Sequence, residues 1–275
     1  IDFDKEDIKK NLTLFLYPDD SDDKGRILRV YQQYFMVSNA ARLIIDETLA
    51  RGGDLHKLNE YAVVQINDTH PSMVIPELIR LLMERGILMD EAIDIVSKTC
   101  AYTNHTIMSE ALEKWPVELF SRLLPRIYMI VEEINRRFCI SLVQKYGNNP
   151  GIVHDMSIIS DGQIKMAYLA IVGSHSVNGV AKLHTEILKN QELKNFYDIY
   201  PEKFNNKTNG ITQRRWLLHA NRPLAQLATE TVGKEWVTDL SRIEGMLKYA
   251  DDEAFQKKFM DIKHENKVKL AEYIK

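Results

Sequence analysis

Two short apolar runs, each followed by a polar cluster, constrain the fold of this chain more than any other feature. Tyr61–Ile66 and Thr99–Thr103 are rich in β-branched and aromatic residues, and a segment with helical periodicity separates them. Such runs are typical of strands in a parallel sheet, because parallel strands need a long crossover between them. The pattern predicts an α/β fold, in which ligands bind beyond the carboxyl ends of the strands.

Helical periodicity fills most of the remaining chain. Apolar residues at three- and four-residue spacing predict helices over residues 1–16, 28–49, 73–85 and 123–138. Asp90 is a plausible N-cap for a further helix, and residues 164–172 fit either a helix or a strand. The sequence Gly-Asn-Asn-Pro-Gly at 147–151 predicts an internal boundary or a surface loop.

Composition excludes several classes of protein. The chain has 36 basic and 39 acidic residues and no basic stripe, which does not favour nucleic acid as a partner. No apolar run approaches the length of a membrane span. Cys100 and Cys139 match neither a disulfide framework nor a zinc spacing, and we expect buried thiols in a reducing compartment, the cytoplasm. A start at Ile1 and a stop at Lys275 within a helical pattern suggest a piece of a longer protein.

An acidic segment, Asp19–Gly25, carries four carboxylates within five residues. Because these charges repel one another, the segment is expected to be an exposed loop. A calcium site is the alternative, but the EF-hand spacing, its central glycine and its terminal glutamate are absent. No metal site is predicted anywhere in the chain.

The polar clusters at residues 67–70 and 102–106 follow the two predicted strands. Amides, hydroxyls and imidazoles donate and accept hydrogen bonds, so such clusters suit a ligand rich in hydroxyl groups, such as a sugar. The alternative is that each cluster is a structural loop, since Asn, Asp and Thr also cap helices. The run Arg214–Trp216 could bind phosphate and stack on a planar group, or could lie on the surface with its cations solvated.

These residues carry a strong resemblance to the glycogen, starch and maltodextrin phosphorylases. The similar blocks occur in order along nearly the whole chain, at residues 16–18, 28–35, 65–71, 101–106 with 110–116, 172–181, 206–212 and 214–218. The resemblance implies phosphorolysis of terminal α-1,4-linked glucose from an α-glucan, with inorganic phosphate as co-substrate and α-glucose 1-phosphate as product. It also implies a full-length homodimer and a helix-rich α/β chain that forms a Rossmann-like half of a two-lobe (GT-B type) glycosyltransferase fold.

The same resemblance assigns roles to single residues. The catalytic residues would be His105, which lies against the glucose ring and serves the oxocarbenium-like transition state, with Asp68 and His70. The substrate-binding residues would be Asn209, Val180, Thr69, Tyr102, Asp20 and Arg29. Among these, Asn209 would hold the sugar 6-hydroxyl and Val180 would form an apolar wall. Asp20 would belong to a mobile gate that Arg29 supports through charge pairing.

The implied cofactor is pyridoxal phosphate, which acts through its phosphate group, and Trp216 would approach it. The cofactor-bearing lysine is expected downstream of this chain, and Lys182 is expected to be an ordinary helix surface residue. We therefore expect the isolated chain to be inactive. The implied organisation is a helical arm with the gate at 1–56, an α/β core at 57–230, and helices at 231–275 that lead to a second lobe. The alternative function is a non-catalytic carbohydrate-binding or oligomerisation module.

Overall fold

The computed structural model describes residues 12–14, 16–108, 111–147 and 149–275. Most of the predicted helix at 1–16, together with Phe15, Glu110 and Asn148 of the motifs above, therefore lies outside the described residues. The described chain separates into two compact units, of which the first ends at Thr208 and the second comprises Asn209–Lys275.

The first unit alternates helices and strands. Its helices are α1 (Asp23–Ala50), α2 (Leu58–Tyr61), α3 (Val74–Glu84), α4 (Met89–Thr99), α5 (Val117–Leu123), α6 (Pro125–Tyr146), α7 (Pro150–Met156), α8 (Met166–Val172), α9 (Lys182–Ile187) and α10 (Lys194–Ile199). Its strands are β1 (Val64–Asn67), β2 (Cys100–Thr103), β3 (Lys114–Pro116), β4 (Ile159–Ser160), β5 (Gln163–Lys165), β6 (Ser176–Gly179) and β7 (Phe204–Asn206). Short 3₁₀ or π turns occupy 55–57, 188–192 and 201–203.

Four of these strands form a parallel sheet in the order β1-β2-β6-β7. The prediction of a helix-rich α/β fold with a parallel sheet is confirmed. Both predicted strands exist, but β1 is shorter than expected and lies at the sheet edge, where Ile66 is its one buried residue. The other sheet is a small antiparallel one, β3-β5-β4, in which Asp161 and Gly162 turn the chain with positive φ angles.

Helix α3 lies at the centre of the core and contacts α1, α4 and α6. Its one buried charge is Glu77, which accepts hydrogen bonds from Tyr34, Ser38 and both Nε and a terminal nitrogen of Arg80. Because every one of these donors points at the same carboxylate, a fully buried charge is tolerated in an otherwise apolar helix.

The structure confirms most of the helices predicted for this unit and corrects one predicted N-cap. The helices predicted at 28–49, 73–85 and 123–138 are present, and Gly52 ends α1 with a φ of 75°. The segment 164–172 divides into β5 and α8. Asp90 is not the N-cap of α4: Leu88 occupies that position, and Asp90 pairs with Arg137 at 2.5 Å.

The two thiols are free, but only Cys100 is buried. Cys139 is half-buried, with its Sγ 3.3 Å from Oγ of Ser157. Burial raises the pKa of Cys100 to about 12, so this thiol stays protonated at neutral pH.

The second unit is helical in its described residues. It contains a π turn (Arg214–His219), α11 (Arg222–Val232), two 3₁₀ helices (Lys234–Val237 and Leu240–Tyr249) and α12 (Glu253–Ile274). Its small core forms around Trp236, whose indole N–H donates to Oγ1 of Thr229 at 3.0 Å. None of the helices in the described part of the chain combines the length and apolarity that crossing a bilayer requires.

Candidate active site at the carboxyl edge of the parallel sheet

The carboxyl ends of β1, β2 and β6 are adjacent, so the residues that follow them share one edge of the sheet. The ladder continues past the strands: the N–H of Asp68 donates to the carbonyl of Thr103, and the N–H of Asn104 donates to that of Asn178, both at 2.9 Å. These bonds fix where the polar clusters begin. The two polar clusters therefore lie side by side because of the strand register.

Asp68 turns the chain sharply as it leaves β1. Its φ of 65° lies in the left-handed region, which Asp tolerates better than most residues. Its Oδ1 accepts a 2.7 Å hydrogen bond from the N–H of Thr69, whose side chain is almost fully buried. The turn exposes part of the Asp68 carboxylate and directs the chain through Thr69 to His70.

His105 is exposed beside this turn, with its Nε2 2.5 Å from Oδ1 of Asn67. An amide oxygen can only accept, so Nε2 carries the proton and a neutral ring keeps Nδ1 as an acceptor. The preceding residue, Asn104, is fully buried and anchors the loop: its Nδ2 donates to the Tyr102 hydroxyl and its Oδ1 accepts from the N–H of Thr106. Asn104 thus ties the loop that carries His105 to the residues before and after it.

Tyr102 and Val180 are less exposed to solvent than His105. The Tyr102 side chain is fully buried in the core, and burial raises the pKa of its hydroxyl. Val180 is half-buried after β6, where its N–H donates to Nδ1 of His184 at 3.0 Å. Their roles in substrate binding stay predictions, and the burial of Tyr102 favours support of the loop through Asn104.

The acidic segment was predicted to be an exposed loop over Asp19–Gly25, but only residues 19–22 lie outside a helix. Helix α1 already begins at Asp23, and Gly25 is buried, although residues 19–24 are exposed. Asp22 caps α1 by accepting the N–H of Gly25 at 2.7 Å. A Cβ on Gly25 would lie 1.9 Å from the carbonyl oxygen of Asp19, so only glycine fits against this turn. Within the described residues, no group of three or more His, Cys, Asp and Glu side chains is arranged to hold a metal ion.

Arg29 connects this turn with His70. Its Nε lies 3.6 Å from Oδ2 of Asp20, and its guanidinium carbon lies 5.5 Å from the ring centre of Tyr17. The Tyr17 ring in turn meets the His70 ring edge-on, with ring centres 5.8 Å apart. Asp20, Arg29 and His70 thus border one cavity of about 590 Å³, together with Glu113, Lys114 and Trp115.

Sequence reasoning gave no individual role to three residues that hold the side chains of His105 and Arg29 in place. Asn67 is the hydrogen-bond partner of His105, while Glu113 and Gln33 contact each other and Glu113 contacts Arg29. All three lie within the sequence blocks that carry the family resemblance, which was the available signal. Nothing in their spacing predicts contacts between residues 80 or 84 positions apart.

Asn209 and Trp216 belong to the second unit, whereas His105, Asp68 and His70 belong to the first. Asn209 is exposed at the start of its unit, and Trp216 is 62 % exposed on the π turn. An exposed indole that directly follows Arg214 and Arg215 in the chain suits a planar, anionic group. Lys182 is an exposed residue at the start of α9, as expected.

Comparison with known proteins identifies the family of the chain. The family model described as carbohydrate phosphorylase matches residues 2–275. The chain is 56 % identical over its full length to the maltodextrin phosphorylase of Streptococcus pneumoniae, of which it covers 36 %. It is 48 % identical over 94 % of its length to the glycogen phosphorylase of Bacillus subtilis, of which it covers 33 %.

A more distant relative extends this result. The chain is 42 % identical over 97 % of its length to the muscle glycogen phosphorylase of Oryctolagus cuniculus, of which it covers 33 %. It therefore spans about a third of the length of the curated relatives it matches. The match to the family model over almost every residue shows that this chain belongs to the carbohydrate phosphorylase family.

Proposed function

We propose that this chain is part of an α-glucan phosphorylase, which transfers the terminal α-1,4-linked glucose of glycogen or maltodextrin to inorganic phosphate and releases α-glucose 1-phosphate. The observation that carries the proposal is the cluster at the carboxyl edge of the parallel sheet. There the exposed His105, oriented by Asn67, follows β2, and Asp68 follows the neighbouring strand β1. The names of the relatives, maltodextrin and glycogen phosphorylase, supply the substrate class.

In this proposal His105 binds the glucose at the end of the glucan. Its Nδ1 and the loop backbone contact the sugar, while the bond to Asn67 prevents the ring from rotating. Asp68 supplies a negative charge near the sugar, where positive charge develops as the glycosidic bond breaks. Val180 provides an apolar surface at the end of β6. Thr69 holds the turn that carries His70, and Asn209 binds the sugar 6-hydroxyl.

Pyridoxal phosphate is the proposed cofactor. When bound, its phosphate would supply an acidic, charge-stabilising group for the substrate phosphate. The exposed indole of Trp216 fits a planar ring of this kind. On the family resemblance alone, we propose that the lysine that binds the cofactor covalently lies downstream of this chain in the full-length protein.

The remaining parts of the proposal concern the full-length protein. It would be a homodimer in the cytoplasm, with a two-lobe GT-B fold to which this chain contributes the arm at 1–56, the core at 57–230 and the helices at 231–275. A cleft between lobes needs both walls, so the chain by itself would not catalyse phosphorolysis.

The test is an assay of the full-length protein that carries this chain. Purified protein is incubated with maltoheptaose, with and without inorganic phosphate and pyridoxal phosphate, and α-glucose 1-phosphate is measured. Release that depends on both additions is the expected result. Binding of maltoheptaose without any release of sugar phosphate would instead support a non-catalytic carbohydrate-binding module and contradict the proposal.

A further inference from the structure

One guanidinium is shared by two carboxylates that differ strongly in burial. Arg29 lies 3.6 Å from Asp20 through its Nε and 3.4 Å from Glu113 through a terminal nitrogen. The side chain of Asp20 is 49 % exposed, whereas those of Arg29 and Glu113 are 16 % and 11 % exposed. Water screens the exposed pair far more than the buried one. The contact with Glu113 is therefore the one that fixes where the guanidinium lies.

Glu113 is itself held in place. Its Oε2 accepts a 2.9 Å hydrogen bond from the amide of Gln33, one helical turn beyond Arg29 on α1. Its Oε1 is buried without a hydrogen-bond partner among the described residues. A buried carboxylate in this situation depends on its neighbouring cation, since desolvation is costly when no cation compensates it. Glu113 and Arg29 are thus mutually dependent.

The fixed guanidinium organises the chain before α1. Its Nε lies near Asp20 and its central carbon lies over the Tyr17 ring, which contacts His70 at the carboxyl edge of the sheet. A chain of contacts therefore runs from Glu113 through Arg29 to the turn and to His70. All of its members belong to the first unit.

We propose that Glu113 is a positioning residue: through Arg29 it holds the turn carrying Tyr17 and Asp20 against His70, at the mouth of the candidate active site. The effect on catalysis rests on the proposed function, whereas the effect on the turn does not. Glu113 is not itself placed in contact with substrate.

The first test measures hydrogen exchange of backbone amides in the full-length protein. Glu113→Gln keeps the size of the side chain and an acceptor for Gln33 but removes the charge. We expect exchange within 16–26 to accelerate about fivefold or more while α3 is unchanged, because the turn loses its anchor. The matched control is Glu118→Gln, five residues away on the exposed first turn of α5, which should leave both segments unchanged.

Two exchange results would overturn the proposal. One is a rate within 16–26 that is the same as in the Glu118→Gln control. The other is a uniform acceleration that includes α3, which would mean that Glu113 supports the fold as a whole.

The second test uses kinetics. Glu113→Gln and Arg29→Gln should each lower kcat/KM for phosphorolysis about tenfold, and the double variant should be no worse than Arg29→Gln alone, because both act through one guanidinium. Multiplied effects in the double variant would contradict this chain of contacts. If the wild-type protein shows no phosphorolysis, the proposed function fails, and the exchange result alone decides whether Glu113 positions the turn.

Discussion

Nε2 of His105 lies 2.5 Å from Oδ1 of Asn67, so a single hydrogen bond joins residues from the ends of two neighbouring parallel strands. The strand register brings Asn67 opposite Thr103, two residues before His105. The orientation of the imidazole is therefore set by the sheet and does not depend on loop conformation alone. This relationship is the basis of the proposed site.

Removing the partner of His105 should impair the reaction without unfolding the protein. In the full-length protein, Asn67→Ala is expected to lower kcat for phosphorolysis about ten- to a hundredfold, because the ring can then rotate away from the sugar. Asn195→Ala is the control, since Asn195 is an exposed residue of α10 in the same unit. Steady-state kinetics measure the effect, and a kcat equal to that of the control would refute the orienting role.

The left-handed backbone of Asp68 allows its conformation to be separated from its charge. Asn also tolerates this conformation, so Asp68→Asn should keep stability within about 0.5 kcal/mol. Asp68→Ala should cost about 1 kcal/mol because alanine does not tolerate the left-handed region well. Urea denaturation measures both values. Equal stabilities for the two variants would show that the φ of 65° carries no conformational cost.

If Asp68 acts through its charge, the activities of Asp68→Asn and Asp68→Ala should not rank in the same order as their stabilities. Both variants should then lose phosphorolysis to a similar degree, although only Asp68→Ala is destabilised. An active Asp68→Asn variant would contradict an electrostatic role for this residue.

The buried Glu77 should matter for stability and not for catalysis. Glu77→Gln weakens the acceptor that receives hydrogen bonds from Tyr34, Ser38 and Arg80, and is expected to cost about 1–3 kcal/mol. Glu84→Gln removes the exposed partner of the same arginine and should change stability by less than about 1 kcal/mol. Chemical denaturation compares the two. A larger effect for Glu84→Gln would contradict the greater contribution of the buried carboxylate to stability.

His56 supplies a prediction about pH. The hydrogen bond from its Nδ1 to Glu91, at 2.6 Å, is the main cause that raises its pKa above the ordinary value. A raised pKa in the folded state stabilises the fold at pH values below about 6.5, and that contribution disappears as pH rises through the folded pKa. NMR titration should give a higher pKa for His56 in the wild type than in Glu91→Gln. The same pKa in both proteins would exclude this contact in solution.

The sequence predicts the elements of the first unit well where periodicity is strong. Helices α1, α3 and α6 and strand β2 were all expected, because continuous apolar patterns determine which residues are buried. Asp90 shows where such reasoning fails: an acidic residue near a helix start suits an N-cap, but it serves here as a partner of Arg137 from α6. That contact arises from tertiary packing, which local sequence does not encode.

The candidate site also has a part that the sequence predicts and a part that only tertiary packing determines. The position of His105 and Asp68 at one sheet edge follows from the order of strands and polar clusters, so it could be anticipated. The contacts from Glu113 to Arg29 and Gln33 could not, because they join α1 to a segment about 80 residues away. Asn209 and Trp216 are exposed residues of the second unit, and their roles in binding the substrate and the cofactor stay predictions.

The most direct test of the account compares four variants of the full-length protein in the phosphorolysis of maltoheptaose. His105→Ala and Asn209→Ala remove the two proposed sugar contacts, while His264→Ala and Asn195→Ala remove exposed residues of the same types on α12 and α10. We predict release of α-glucose 1-phosphate at the wild-type rate in the two controls and a loss of about a hundredfold or more in the two site variants, with unchanged denaturation midpoints. Wild-type rates in His105→Ala and Asn209→Ala would contradict the proposed site.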